Sequence, residues 1–226
     1  MSVMEKTIGW LAPPLCVGCG AEGLAICKNC IPHITPFGER CWRCNRLSPG
    51  CRTCDSCRHT GSPGKVYIFT SYEDMSKRLL TVYKFNHLRS AAAQISGLMS
   101  QTAKAYSNDL SGYLVVPIPT ATSRVRQRGF GHAELLAKHI AWQLGLERQH
   151  ILRRLGQTRQ LGATREARLR QLNSSFAVRR PESVKNRRIL LVDDVLTTGG
   201  TIIAVSQAMK SAGASNVDAL LFAKRL

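Results

Sequence analysis

The chain has 226 residues, a formal net charge of +18 and 44% hydrophobic residues. This composition is globular, and the length suits one α/β domain of ordinary size plus a small module. No apolar run reaches membrane-spanning length. Met1 to Leu15 reads as a short helix around Ile8, Trp10 and Leu11; lacking a basic n-region and a small-residue cleavage site, it is a poor secretory signal, and a cytoplasmic location is expected.

All nine cysteines fall between Cys16 and Cys57, and eight of them form four C-x-x-C pairs: Cys16/Cys19, Cys27/Cys30, Cys41/Cys44 and Cys54/Cys57. In a reducing compartment such pairs read as metal knuckles. Two thiolates per pair give eight in all, enough for two tetrahedral Zn²⁺ sites. The competing reading is a disulfide-linked or vestigial module. Sequential pairing of the knuckles is preferred because it closes the shorter loops, with the interleaved arrangement left open. Cys51 either replaces Cys54 as a ligand or is a free thiol. His33 and His59 read as surface residues. Trp10, Trp42 and Tyr67 lie in or near this region, where core packing is favoured over stacking on bases.

The "HTGSPGK" stretch, with Gly61 to Gly64, reads as a linker, dividing the chain into a module at 1–62 and a domain at 63–226. "VYIFTSY" reads as a strand, and Met75, Leu79, Val82 and Tyr83 mark a helix face. A second helix covers Ala91 to Tyr106, and "YLVVPIP" from Tyr113 is a buried strand closed by two prolines. Arg124, Arg126 and Arg128 then alternate, so an extended loop projects them the same way. A helix from Phe130 to Leu144 follows. Between Arg124 and Arg188 lie 16 Lys/Arg against 4 Asp/Glu, a surplus of 12. A pocket for one small anion needs fewer cations; the rest fit a polyanion such as single-stranded DNA, bound without sequence preference. No DNA-reading motif is present.

The last third holds "ILLVDDVLTTGGT", Ile189 to Thr201. Ile189 to Val192 is a buried strand, and Ile202, Val205 and Met209 recur at helical spacing until Gly213. Asp193 to Gly200 is therefore expected to be a tight strand-to-helix turn, whose glycines and free helix-start N–H groups suit an anion. The paired carboxylates would repel a phosphate unless they face sugar hydroxyls or Mg²⁺. A ribose 5-phosphate satisfies both demands. An acidic strand end with a capped helix and no ligand is the bland alternative; a nucleotide P-loop is excluded by the missing Gly-Lys-Ser/Thr. With Val217 to Phe222 as a final strand, the alternation predicts an α/β fold with a parallel sheet covered on both sides. Its ligands belong at the carboxyl ends of the strands.

The stretch resembles the phosphoribosyl-diphosphate (PRPP) motif of type I phosphoribosyltransferases. With the cysteine-rich start, the chain is similar to the competence protein F family, including its DNA-utilisation branch. The resemblance implies a double zinc-ribbon module before a phosphoribosyltransferase-like domain. It places the ribose hydroxyls, with Mg²⁺, at Asp193 and Asp194, the catalytic carboxylates if transfer occurs. It places the 5-phosphate at Thr197, Thr198, Gly199, Gly200 and Thr201. Arg124, Arg126 and Arg128 match the family's pyrophosphate loop, Lys84 its "KF" position, and Gln160, Arg165, Arg168 and Phe176 a basic segment that closes over the site in type I relatives. Gly131-His132, Ala163, Gln171 and Gly200 depart from the family's usual residues. DNA-uptake or helicase-type proteins are the partners implied. Two functions compete: a DNA-handling protein that keeps a phosphoribosyl site, and an active PRPP-dependent transferase. Only "AKRL" follows the last strand, so no base-recognition hood is expected there.

Overall fold

The structure, a computed structural model, describes residues 13–85, 91–120, 131–155 and 175–226. Seven strands are present among them: β1 (Val66–Ser71), β2 (Tyr113–Pro117), β3 (Glu147–Arg148), β4 (Leu152–Arg154), β5 (Phe176–Val178), β6 (Arg188–Leu196) and β7 (Asn216–Lys224). Five form one sheet in the order β1-β7-β6-β2-β3 with every neighbouring pair parallel. β4 and β5 form a separate antiparallel hairpin. The helices are α1 (Asp74–Phe85), α2 (Ala91–Tyr106), α3 (His132–Leu144) and α4 (Gly200–Ser211).

Period-two alternation splits the sheet's side chains between two cores. Tyr67, Val115, Leu190, Val192, Leu220 and Phe222 face α1, α2, α3 and the first cysteine-rich stretch. Val66, Ile68, Leu114, Val116, Leu191 and Leu221 face α4, the β4–β5 hairpin and the second cysteine-rich stretch, with Phe37 and Trp42. Both faces are dry, as the continuous aliphatic runs of β2 and β6 require. α3 stops at Gly145, whose left-handed φ of 65° lets its N–H and that of Leu146 turn back to Trp142 and Ala141 carbonyls.

The segment expected to be a linker is a tethered connection. Ser62 is buried, Thr53 donates its N–H to the Gly64 carbonyl, and the N–H of Lys65 donates to Asp218 Oδ1 at 2.8 Å. Asp218 also accepts from Tyr113 Oη, so this buried carboxylate binds the connection to β7 and β2 together. Among the described residues, no helix is long and apolar enough to cross a membrane.

The expected turn from Asp193 to Gly200 is shorter than the sequence suggests. β6 continues through both aspartates to Leu196, because β7 is long enough to pair Val195 with Ala223 and Leu196 with Lys224. Only Thr197, Thr198 and Gly199 connect it to α4. The start of the α3 expectation, Phe130, lies outside the described residues.

Candidate functional site

The eight paired cysteines form two groups, Cys16, Cys19, Cys27, Cys30 and Cys41, Cys44, Cys54, Cys57, with the sulfur atoms of each group within 4.8 Å of one another. This is the sequential pairing. The sulfurs of Cys19 and Cys27 are 3.7 Å apart and those of Cys44 and Cys54 are 3.6 Å apart. A Zn–S bond of about 2.3 Å gives a tetrahedral edge of about 3.8 Å, so the donor sets fit such an ion. Each group could hold a metal ion, and together they fit a double zinc ribbon. Cys51 stands outside both: its buried thiol points to the Gly38 carbonyl, and burial, with the nearby charge of Glu39, pushes it up to about 12. His33 and His59 are exposed and belong to neither group.

The sheet order locates the second feature. From β2 the chain crosses by α3 to β3 on one side; from β6 it crosses by α4 to β7 on the other. Adjacent strands whose connections leave in opposite directions open a crevice at their carboxyl ends. A cleft of about 310 Å³ lies there, lined from β2's end by Ile118, Pro119 and Thr120, and from β6 onward by Asp193, Asp194, Val195, Thr197 and Thr201. Tyr72, Lys84, His132, Arg154 and Arg225 complete its wall.

The two carboxylates have different surroundings. Asp194 Oδ2 meets the ammonium of Lys84 at 2.7 Å, both side chains being more than four-fifths covered. Asp193 Oδ1 accepts the backbone N–H of Asp194 at 2.9 Å. Asp193 is half-buried by exposed area, yet protein crowds its carboxyl: burial, then the charge of Asp194, pushes it up to about 7, against the pull of that N–H and Lys84. One carboxylate is therefore paired with a cation, and burial raises the pKa of its neighbour. Beside them the loop Thr197–Gly199 delivers the start of α4, whose first N–H groups have no carbonyl within the helix to meet. The cleft thus offers acceptors for hydroxyls or a cation on one wall and donors for an anion on the next.

The sequence reasoning placed Asp193, Asp194, Thr197 to Thr201 and Lys84 in one site; the structure lines one cleft with Asp193, Asp194, Thr197, Thr201 and Lys84, while Thr198, Gly199 and Gly200 do not line it. Lys84 comes from the end of α1 and is engaged by Asp194. Arg124, Arg126, Arg128, Arg165 and Arg168 lie outside the described residues, as do Gln160, Ala163 and Gln171. Tyr72, His132, Arg154 and Arg225 were missed. Tyr72 and Arg225 directly follow β1 and β7, so the rule that ligands gather at the carboxyl ends of parallel strands could have found both. His132 carries its own constraint: its carbonyl accepts from Tyr83 Oη at 2.8 Å, and the two rings meet edge to face. Trp42 and Tyr67 are buried in the two cores, so neither offers a face to a base.

Residues 129–226 match the family model of the phosphoribosyl transferase domain. The chain is 25% identical to competence protein F of Haemophilus influenzae over 213 residues, covering 90% of this chain and 87% of that protein. It is 24% identical to DNA utilization protein YhgH of Salmonella typhimurium over 215 residues, covering 92% and 88%. Among solved structures, the allosteric regulatory enzyme of purine biosynthesis aligns with a TM-score of 0.39 at 18% identity, over 59% of this chain and 25% of that one. The chain is thus similar along about nine-tenths of its length to competence protein F and the DNA utilization proteins, and its residues 129–226 match the phosphoribosyl transferase domain model.

Proposed function

We propose that this is a DNA-handling protein of the competence type whose domain at 63–226 binds PRPP or a related phosphoribosyl ligand. Asp193 and Asp194 take the ribose hydroxyls and Mg²⁺, and Thr197, Thr198, Gly199, Gly200 and Thr201 take the 5-phosphate at the start of α4. The observation that carries the reading is the meeting of a carboxylate pair and a helix N-terminus in one cleft at the sheet's switch point. Lys84 holds the place of a cation at Asp194, so Mg²⁺ arriving with a ligand displaces its ammonium. Arg154 and Arg225 supply positive charge at the cleft wall for a pyrophosphate. Arg124, Arg126, Arg128, Arg165 and Arg168 bind the pyrophosphate, and the surplus of basic residues between Arg124 and Arg188 binds single-stranded DNA. The module at 1–62 binds two Zn²⁺, and the protein works in the cytoplasm beside DNA-uptake or helicase-type partners.

Calorimetry with PRPP and Mg²⁺ tests the site, and the expected result is saturable binding that Asp193→Asn with Asp194→Asn abolishes. Unchanged affinity in the double variant overturns the assignment. Release of pyrophosphate in the presence of a base would move the reading to the second function, an active transferase with Asp193 and Asp194 as its catalytic carboxylates.

A further inference from the structure

Gly199 is the last residue of the three-residue loop between β6 and α4, and it is the N-cap of α4 with φ at 80°. That left-handed backbone already favours glycine. A second constraint comes from a distant part of the chain. A Cβ at this position would overlap Cζ3 of the Trp42 indole and lie 3.0 Å from Cη2. The six-membered ring of Trp42 is therefore seated directly on the loop backbone.

Trp42 lies inside the knuckle Cys41-Trp42-Arg43-Cys44, and the far end of its indole is fixed. Its Nε1–H donates to Thr53 Oγ1 at 2.8 Å, and Thr53 precedes Cys54. Thr53 in turn donates Oγ1–H to the Pro63 carbonyl at 2.6 Å and its N–H to the Gly64 carbonyl at 2.8 Å. Residues adjoining both cysteine pairs of the second cluster thus hold the ring at one end, and the loop rests on the other. The same knuckle makes a second contact beside the loop. Asn45 receives the ammonium of Lys224 on its side-chain oxygen, and Lys224 pairs with Leu196, the last residue of β6. Among the described residues the first cluster shows no such link: Gly18 packs on Cys30 and Met75, and Ile26 is bracketed by Gln94 of α2.

We propose that Trp42 is the positioning residue of the Thr197–Gly199 loop, so that metal held at Cys41, Cys44, Cys54 and Cys57 sets the loop's conformation while the first cluster does not. The indole acts as a strut: the cluster fixes its tilt, and the tilt fixes where the N–H groups opening α4 point. The consequence for ligand affinity rests on the phosphoribosyl reading above; the consequence for the loop itself does not.

Hydrogen exchange across residues 197–201 in the metal-loaded full chain separates the two. Trp42→Phe withdraws the outer ring and the N–H while leaving an aromatic in the core. Exchange should quicken by about tenfold, the change expected when one ring-to-backbone packing contact is lost. Zinc content should stay as in the wild type, and ribose 5-phosphate affinity should fall by a similar factor. Cys44→Ser should quicken the same exchange, and Cys19→Ser should not, which covers a Trp42→Phe protein that fails to fold. Unchanged loop exchange in both Trp42→Phe and Cys44→Ser overturns the proposal, as does equal quickening in Cys19→Ser. If the exchange pattern is as expected but the wild type binds no ribose 5-phosphate, the strut stands and the phosphoribosyl reading falls.

Discussion

The two cysteine clusters have the same four ligands at the same C-x-x-C spacing within each pair, yet they serve different faces of one sheet. The first packs against the helical face, where Gly18 touches Met75 of α1 and Ile26 is held by Gln94 of α2. Through α1 that face delivers Lys84 to Asp194. The second packs on the opposite face, against the loop that opens α4 and the end of β7. What separates them is the filling of the knuckle: Val17 and Gly18 in one, Trp42 and Arg43 in the other. A metal ligand set fixes a local shape. The residues between the ligands decide what that shape supports.

The largest effect expected is loss of metal. We predict about two zinc ions per chain in protein purified without added metal, from four thiolates each. Cys19→Ser and Cys44→Ser should each retain about one, and elemental analysis showing one ion or fewer in the wild type with reduced thiols would break the comparison at its root. Because structural zinc contributes apparent binding energies of about 10–16 kcal/mol, chelation should unfold Cys16 to Cys57 before the α/β domain. Proteolysis followed by mass spectrometry reports that order.

A smaller effect isolates the first cluster's face. Lys84→Met leaves Asp194 without its cation beside a second carboxylate, and should destabilise the fold by about 1–3 kcal/mol in denaturant melts. Added Mg²⁺ should recover most of that loss, since it takes the same carboxylates. No recovery would mean that the pair does not bind the cation.

Proton linkage gives a subtler measure. The Asp193 carboxyl is raised to about 7 in the folded protein, so the stability it contributes is complete below its unfolded value and is lost as pH rises through about 7. Asp193→Asn should flatten the fall in melting temperature between about pH 4 and pH 7. Mg²⁺ binding to the wild type should strengthen across the same interval and release a proton, whereas the variant should show neither. Smallest is the DNA term. Replacing Arg165, Arg168 and Arg170 with Ala should reduce the slope of log K against log salt for single-stranded DNA by about 2 if all three meet phosphates. Loss of PRPP affinity with an unchanged slope would assign that segment to the cleft.

Much of this was legible because the signals were local. Cysteine spacing and the aliphatic runs of β2 and β6 depend on neighbours within a few residues. So does the order of aspartates, threonines and glycines before a helix. What was illegible depended on partners far along the chain. The two aspartates read as a turn because nothing near them reveals that β7 runs far enough to keep pairing past Asp193. The β4–β5 hairpin has three residues per strand, and its Arg153 and Arg154 hide any alternation. Tyr72 and Arg225 look like ordinary strand-end residues until the sheet order brings β1, β7, β6 and β2 side by side. Trp42 was rightly expected in the core, but no pattern in sequence links residue 42 to residue 199.

Cys51 gives the molecule a native clock. Eight thiols form the two groups that could hold metal, while the ninth is buried at the seam between the module and the sheet, where burial raises its pKa to about 12. A thiol in that condition reacts with an alkylating reagent only when its surroundings open. In the metal-loaded protein, the labelling rate of Cys51 therefore counts how often the seam parts. That count should rise when the second cluster is emptied, and a ligand bound in the cleft should slow it.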